Sequence, residues 1–242
     1  MVVLSTLDDF GFAPVYPELA GKRVLLAGLS RSLGTDIVRA FAEQGTRLVL
    51  QFVEDSEEMH AVAEIAARTA LDVQMFTCPL SATSEIVKTT RRAIAAYGGL
   101  DAVVSVATLP NAVDPSASEA DVEAIIANTL MAPCLISRVV ANRMRVTWTA
   151  GHIVNVLQSG KPLNRRSQLI AQMARSTLAA VTRREAQARA EDNVRVNAVA
   201  PRSIGDTSGS ALSSEPDIAS LALHLVSRRD ENLSGLLFEA GA

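Results

Sequence analysis

Tyrosine is scarce in this chain, with only Tyr16 and Tyr97 among 242 residues, and lysine is nearly as rare, at Lys22, Lys88 and Lys161. Proton exchange by a phenol or an ammonium therefore has few possible sources. Cysteine occurs twice, Cys78 and Cys134, with no C-x-x-C pair, and His60, His152 and His224 lie far apart without ligand spacing. That pattern argues against a disulfide framework and against a metal site. The formal net charge is −3 and the cations are scattered, so no footprint for a nucleic-acid backbone is present. No uninterrupted apolar run reaches the roughly 18 residues that span a bilayer, and the N-terminus lacks a charged region followed by an apolar one. A cytoplasmic protein with neither nucleic-acid nor membrane partners is expected.

What is abundant is apolar surface. Nearly half the residues (48%) are hydrophobic, and no low-complexity tract interrupts them. A chain of this length and composition can bury one sizeable core. Residues 1–20 lack sustained periodicity and include Phe10, Phe12 and Tyr16; they read as an N-terminal arm. From residue 21 to 242, seven short runs rich in β-branched residues ("RVLLAG", "TRLVLQFV", "DVQMFT", "LDAVVSVA", "HIVNVL", "VRVNAVA", "GLLFEA") alternate with segments whose apolar positions recur every three or four residues. Strands apolar on both faces in alternation with helices predict an α/β fold. Its form is a single doubly wound, parallel, seven-stranded sheet of Rossmann type.

After the first strand comes "AGLSRSLG", residues 27–34, where Gly28 and Gly34 flank the start of a helix. In a nucleotide-binding fold the first glycine permits the tight strand-to-helix turn, and a later one permits close helix packing with the helix N-terminus facing phosphates. The order of the remaining segments is also informative. "SVAT" follows at 105–108, Asn128 in "IIANTLMAP", "GHIVNVLQSG" at 151–160, "VRVNAVAPRSI" at 194–204, and a closing "GLLFEAGA". In this order the chain resembles the short-chain dehydrogenase/reductase family over about residues 20–242. Its markers are T-G-x-x-x-G-x-G, N-N-A-G, a helix asparagine, a serine after the fifth strand, Y-x-x-x-K and P-G.

The resemblance implies a nicotinamide dinucleotide, NAD or NADP, and a catalytic set of Asn, Ser, Tyr and Lys. In that family the tyrosine is the acid or base, the lysine lowers its pKa and holds the cofactor ribose, and the serine orients the substrate oxygen. Carried onto this chain, those positions are Asn128, Gln158, Ala171 and Arg175. The thirteen residues from Gln158 to Ala171 match the family's spacing, so no insertion explains the change. Ala171 has no ionisable group, Gln158 can hydrogen-bond but not relay a proton, and Arg175 carries a fixed, always-charged fork.

The cofactor positions implied by the resemblance are Gly28, Ser30, Arg31, Ser32, Leu33, Gly34, Phe52, Pro79, Leu80, Ala107 and Pro201. Ser32 replaces the middle glycine, Phe52 stands where an acid would select NAD, with Glu54 and Asp55 close behind, and Pro79 replaces the adenine-contacting aspartate. Weak or absent dinucleotide binding is expected. Lys161 offers a cation just after the fifth strand, and the segment after the sixth is cut to "GDTSGSALSS", too short for the family's covering helices.

Two functions follow. One is a non-catalytic homologue serving as partner subunit or small-molecule binding protein, its ligand unidentified. The other is an active carbonyl reductase or alcohol dehydrogenase using Asn128, Gln158 and Arg175 with water as proton source. Dehalogenase-like chemistry is a third, for which Arg175 fits and Ala171 does not. Leu130, Leu135, Ile136, Val139, Val140 and Met144 on one helix, and Leu169, Ile170, Met173, Leu178 and Val181 on the next, predict a homodimer or homotetramer, or a hetero-oligomer with a catalytically complete paralogue.

Overall fold

The strands β1 (Arg23–Leu29), β2 (Arg47–Phe52), β3 (Asp72–Thr77), β4 (Ala102–Leu109), β5 (Gly151–Ser159), β6 (Val194–Pro201) and β7 (Leu237–Ala240) form one parallel sheet in the order β3-β2-β1-β4-β5-β6-β7. This computed structural model describes residues 15–31, 34–110, 113–114, 116–159, 164–201, 215–227 and 232–240. The helices are α1 (Thr35–Ala42), α2 (Glu57–Ala66), α3 (Thr83–Ala96), α4 (Glu119–Val146), α5 (Arg165–Ala188) and α6 (Glu215–Val226). The chain reverses direction across the sheet between β1 and β4, and that is where this class of fold binds ligands, at the carboxyl ends of the strands.

Strand side chains alternate between two cores. Val24, Leu26, Val104 and Val154 pack with Ile37 and Phe41 of α1 and Ile218 and Ala222 of α6. On the other face Leu25, Val103 and Ile153 meet Ile86 of α3 and Ile136, Val140 and Met144 of α4. A third cluster, nearer the carboxyl edge, joins Leu109 and Leu157 to Ile126 of α4 and Ile170, Ala174 and Leu178 of α5. Pairing extends β4 and β5 beyond their apolar runs, to Leu109 opposite Ser159, because backbone hydrogen bonding does not stop where hydrophobicity does.

Helix α4 begins at a capping box, in which Ser118 accepts from the Asp121 N–H and Asp121 accepts from the Ser118 N–H. Within its 28 residues lies an 18-residue window of mean hydropathy 1.7, long and apolar enough to cross a membrane by composition. Uninterrupted runs alone do not reveal it. Its apolar stripe is occupied instead by the sheet, α3 and α5, and 44% of the window is buried.

The end of the N-terminal arm is seated at the amino edge of the sheet. Leu19 is 2% exposed within the core, and the Tyr16 N–H donates to Gln44 Oε1 at 2.9 Å. Phe10 and Phe12 lie outside the described residues. At the same edge Asp101 accepts from the Arg23 backbone N–H and Nε through one oxygen, both at 2.9 Å, and from Nη2 through the other at 2.7 Å. Burial acts to raise the Asp101 pKa, but the Arg23 hydrogen bonds and charge outweigh it and hold the carboxyl below its ordinary value. A depressed carboxylate pKa stabilises the fold above the unfolded value near 3.9, and that stability is lost as pH falls through the folded value. Asp101→Ala is therefore expected to cost about 2 kcal/mol at neutral pH, in the range for orphaning buried donors. Urea unfolding of both proteins should show the difference shrinking below about pH 4.

Candidate active site

The glycine turn is the best-formed part of the carboxyl edge. Gly28 has φ +78°, and a Cβ there would lie 2.0 Å from the Val106 carbonyl oxygen of β4. Only glycine satisfies both the dihedral angle and the approach of the two strands. Gly34, at φ +106°, caps α1, and a Cβ would meet Leu29 Cδ2 at 2.3 Å. Gly28 is thus required by the approach of β1 to β4, and Gly34 by the contact with Leu29 at the start of α1. Ser32 and Leu33, between them, fall outside the described residues.

Sequence reasoning missed the residue that holds this turn. Gln51 of β2 is 1% exposed, and its Oε1 accepts from the Gly28 N–H at 2.8 Å. Its Nε2 donates to the carbonyls of Phe52 at 2.7 Å and Cys78 at 2.8 Å. One amide thereby ties the carboxyl ends of β1, β2 and β3 together. The available signal was a lone glutamine inside the apolar run "RLVLQFV". Nearby, the Arg31 N–H donates to Glu54 at 3.2 Å, and its Nη2 donates to Glu58 at 3.3 Å. Of the two acids close behind Phe52, Glu54 therefore grips the glycine loop itself, while Asp55 pairs with His60 at 2.9 Å.

Other expected cofactor contacts are dispersed. Phe52 is 2% exposed and packs in the core beneath α1, so its ring does not line the cleft, contrary to the position expected of it. The cause is register, since Phe52 pairs with Leu29 and shares the core face of Leu48 and Leu50. Pro79 is exposed, Leu80 packs against the core under α3 and α4, and Ala107 is buried in the β4–α5 cluster. Ser30 forms a bridge just after β1, and Pro201 closes β6 at the same edge. Lys161 and residues 205–214 lie outside the described residues.

Of the four catalytic positions, Gln158 lies at the tip of β5 opposite Thr108 of β4. Alternation places it on the strand face of Val154 and Val156, the face covered by α1 and α6. Ala171 and Arg175 are on α5, across the sheet; Ala171 packs with the Leu157, Ile170 and Ala174 cluster. The Arg175 guanidinium forms an ion pair with Glu239 of β7, and its Nε is buried with no hydrogen-bond partner among the described residues. Asn128 is solvent-exposed on α4. The two tyrosines are at the other edge. Tyr97 ends α3 and donates to the Leu48 carbonyl at 3.2 Å, with burial and the neighbouring Asp72 pushing its hydroxyl pKa up. Tyr16 stands edge-on to His224. Among the described residues, no three metal-ligating side chains cluster.

A family model described as enoyl-(acyl carrier protein) reductase matches residues 28–230, from the glycine turn to beyond α6. The chain belongs to the short-chain dehydrogenase/reductase family. It is 28% identical over 89 residues to the sorbose reductase sou1 of Schizosaccharomyces pombe, a match covering 36% of this chain and 35% of that protein, about a third of its length. An uncharacterized oxidoreductase of Thermotoga maritima is 25% identical over 182 residues, 75% of this chain and 71% of the relative. Among solved structures, a short-chain dehydrogenase from Mycobacterium smegmatis superposes with a TM-score of 0.76 at 20% identity, covering 97% of this chain and 99% of the other. An NADH-dependent reductase complexed with NAD gives 0.77 at 14% identity, covering 93% and 97%. The structural likenesses establish the fold, seven parallel strands with flanking helices.

Proposed function

We propose that this chain is a non-catalytic member of the family, working in the cytoplasm as a partner subunit or small-molecule binding protein. The observation that carries the proposal is the engagement of Arg175 by Glu239, one helical turn from an alanine at the tyrosine position. A lysine there would present a point charge to a ribose and to a phenol. Here the charge is bound to the edge strand, and no phenol is present. Gly28 and Gly34 keep their left-handed backbone conformations, but among the described residues the lysine position that would hold a ribose carries Arg175. Residual dinucleotide affinity, for NAD or NADP, is therefore weak or absent.

The test is a purified sample supplied with NADH or NADPH and a panel of aldehydes and ketones. Expected are rates indistinguishable from background and, by calorimetry, a Kd weaker than about 1 mM for either dinucleotide. Clear turnover of any carbonyl substrate would overturn the reading.

An exposed apolar pair on α5 favours a partner role. Of the apolar residues expected to cover a neighbour, Leu130, Ile136, Val140, Met144, Ile170 and Leu178 are already used by the internal core, and Leu135 and Val139 pack against it. Leu169 and Met173, 54% and 41% exposed one turn apart on α5, are not used by it. A two-fold contact through α4 and α5 would cover them in a homodimer or homotetramer, or against a complete paralogue. Leu169→Glu combined with Met173→Glu should lower the oligomeric state measured by light scattering while leaving the circular dichroism spectrum unchanged. An unaltered mass would remove α5 from the interface.

A further inference from the structure

Helices α3 and α4 lie side by side on one face of the sheet, and between their last turns runs a groove of about 450 Å³. That volume falls within the roughly 300–1,000 Å³ of ordinary small-molecule sites. Helical spacing builds the lining, since positions 91, 94, 95 and 98 recur every three or four residues, as do 139, 142 and 143. The floor is apolar. Ile94 and Ala95 of α3 face Val139 of α4, and Ile94 and Val139 belong to the core beneath. Gly98, just past the end of α3, adds no side chain to it.

The walls are cationic. Arg91 stands on α3 and Arg143, beside Asn142, on α4, and no acid lines the groove. Both arginines are exposed, and neither side chain forms a hydrogen bond or ion pair among the described residues. In that they differ from Arg23, Arg31, Arg39, Arg175 and Arg189, each of which is paired with a carboxylate. An arginine in the last turn of a helix often serves only the helix dipole. Here the carbonyls that end α4 are capped without it. The Thr147 N–H and Oγ1 donate to the Arg143 carbonyl, the Trp148 N–H to that of Arg145 and the Thr149 N–H to that of Met144. Two helix ends carry about half a negative charge each against two guanidinium groups, so an excess of about one positive charge remains.

The surroundings do not cancel that excess. Beyond Glu85, α3 carries Lys88, Arg91 and Arg92, and beyond Glu123, α4 carries Arg138, Arg143 and Arg145, with no acid on either stretch. Of the acids on neighbouring segments, Asp101 is held by Arg23 and Glu185 is paired with Arg189. Asp72 acts on the Tyr97 hydroxyl, with Arg47 acting on it in the opposite sense.

We infer that this groove binds a small organic anion, a carboxylate or phosphate head on an apolar body. The site is separate from the dinucleotide cleft, and its occupation does not depend on whether that cleft binds a cofactor. Arg91 and Arg143 hold the head, because a planar guanidinium matches either group, and the body lies on Ile94 and Val139. The groove is on the α3 flank of α4, away from Leu169 and Met173 of α5.

The experiment is calorimetric titration of the full chain, at constant ionic strength, with sodium octanoate, with octyl phosphate and with inorganic phosphate. Octanoate or octyl phosphate should saturate, and the one that does assigns the head group. Inorganic phosphate, which has no apolar body, should bind at least about tenfold more weakly. Arg91→Gln and Arg143→Gln should each weaken binding of the saturating probe about tenfold or more, the effect of losing a charge-assisted hydrogen bond. Both side chains are exposed, so the variants should keep the parent's circular dichroism spectrum. Arg68→Gln, at an exposed position after α2 on the opposite face of the sheet, should leave binding unchanged. The inference is wrong if neither amphiphile saturates below about 10 mM, if inorganic phosphate binds as tightly as they do, or if Arg91→Gln and Arg143→Gln bind no more weakly than Arg68→Gln.

Discussion

Gly28→Ala is expected to cost about 4 kcal/mol, a large share of a typical total of roughly 5–15 kcal/mol. Two effects combine. A left-handed backbone costs an L-residue about 1–2 kcal/mol, and φ at Gly28 is +78°. The larger effect is steric, because the new methyl would sit 2.0 Å from the Val106 carbonyl oxygen, an atom fixed in the central strand β4. Relief requires β1 and β4 to separate where Ala27 pairs with Ser105, straining the sheet at its most buried point. Overpacking of this kind typically costs about 1–3 kcal/mol and more where backbone must move. Gly45→Ala provides the control. Gly45 has a similar φ, +66°, but no atom lies within 4 Å of an added methyl, so only the dihedral cost of about 1–2 kcal/mol applies. Urea unfolding followed by circular dichroism should separate the two variants by at least about 2 kcal/mol. Equal losses would mean that strand proximity does not set the requirement for glycine.

The comparison of Gly28 with Gln51 shows which parts of the site were legible in the sequence. A glycine between strand and helix has a known mechanical role, and both Gly28 and Gly34 occupy the expected turn. The alternation of apolar runs likewise specifies seven strands with helices between them, since burial on both faces is a local property of each run. Gln51 and Glu239 are different. Each acts through a partner distant in sequence, Gly28 at 23 residues and Arg175 at 64, and periodicity carries no information about such pairings. Phe52 shows the converse error. Its position in the motif suggested a cleft residue, but the parity of β2 turns it inward with Leu48 and Leu50. The pairing of β5 with β6 at the amino edge was invisible for the same reason. His152 and Arg195 become neighbours only through strand register.

Restoring the family's catalytic groups in one variant, Gln158→Ser, Ala171→Tyr and Arg175→Lys, is expected to raise carbonyl reduction by at least about 100-fold over the parent's background at equal cofactor concentration. General acid catalysis supplies about 10²- to 10⁴-fold, and Ala171 and Arg175 already stand one turn apart on α5. The helix offers no obstacle. Ala171 is only partly buried at the edge of its cluster, which gives a phenol room to extend beyond it, and neither it nor Arg175 is among the buried residues of α5. Glu239 is the competing influence. It holds the guanidinium at position 175 now, and it would attract the introduced lysine with the same sign and less directional strength. Adding Glu239→Gln should therefore raise the rate of the triple variant further, by freeing the ammonium for the ribose and the phenol. Steady-state rates with a reactive aldehyde at millimolar NADPH measure both steps. If the triple and quadruple variants remain at background, catalysis is limited by dinucleotide binding at the glycine turn and not by the residues at positions 158, 171 and 175.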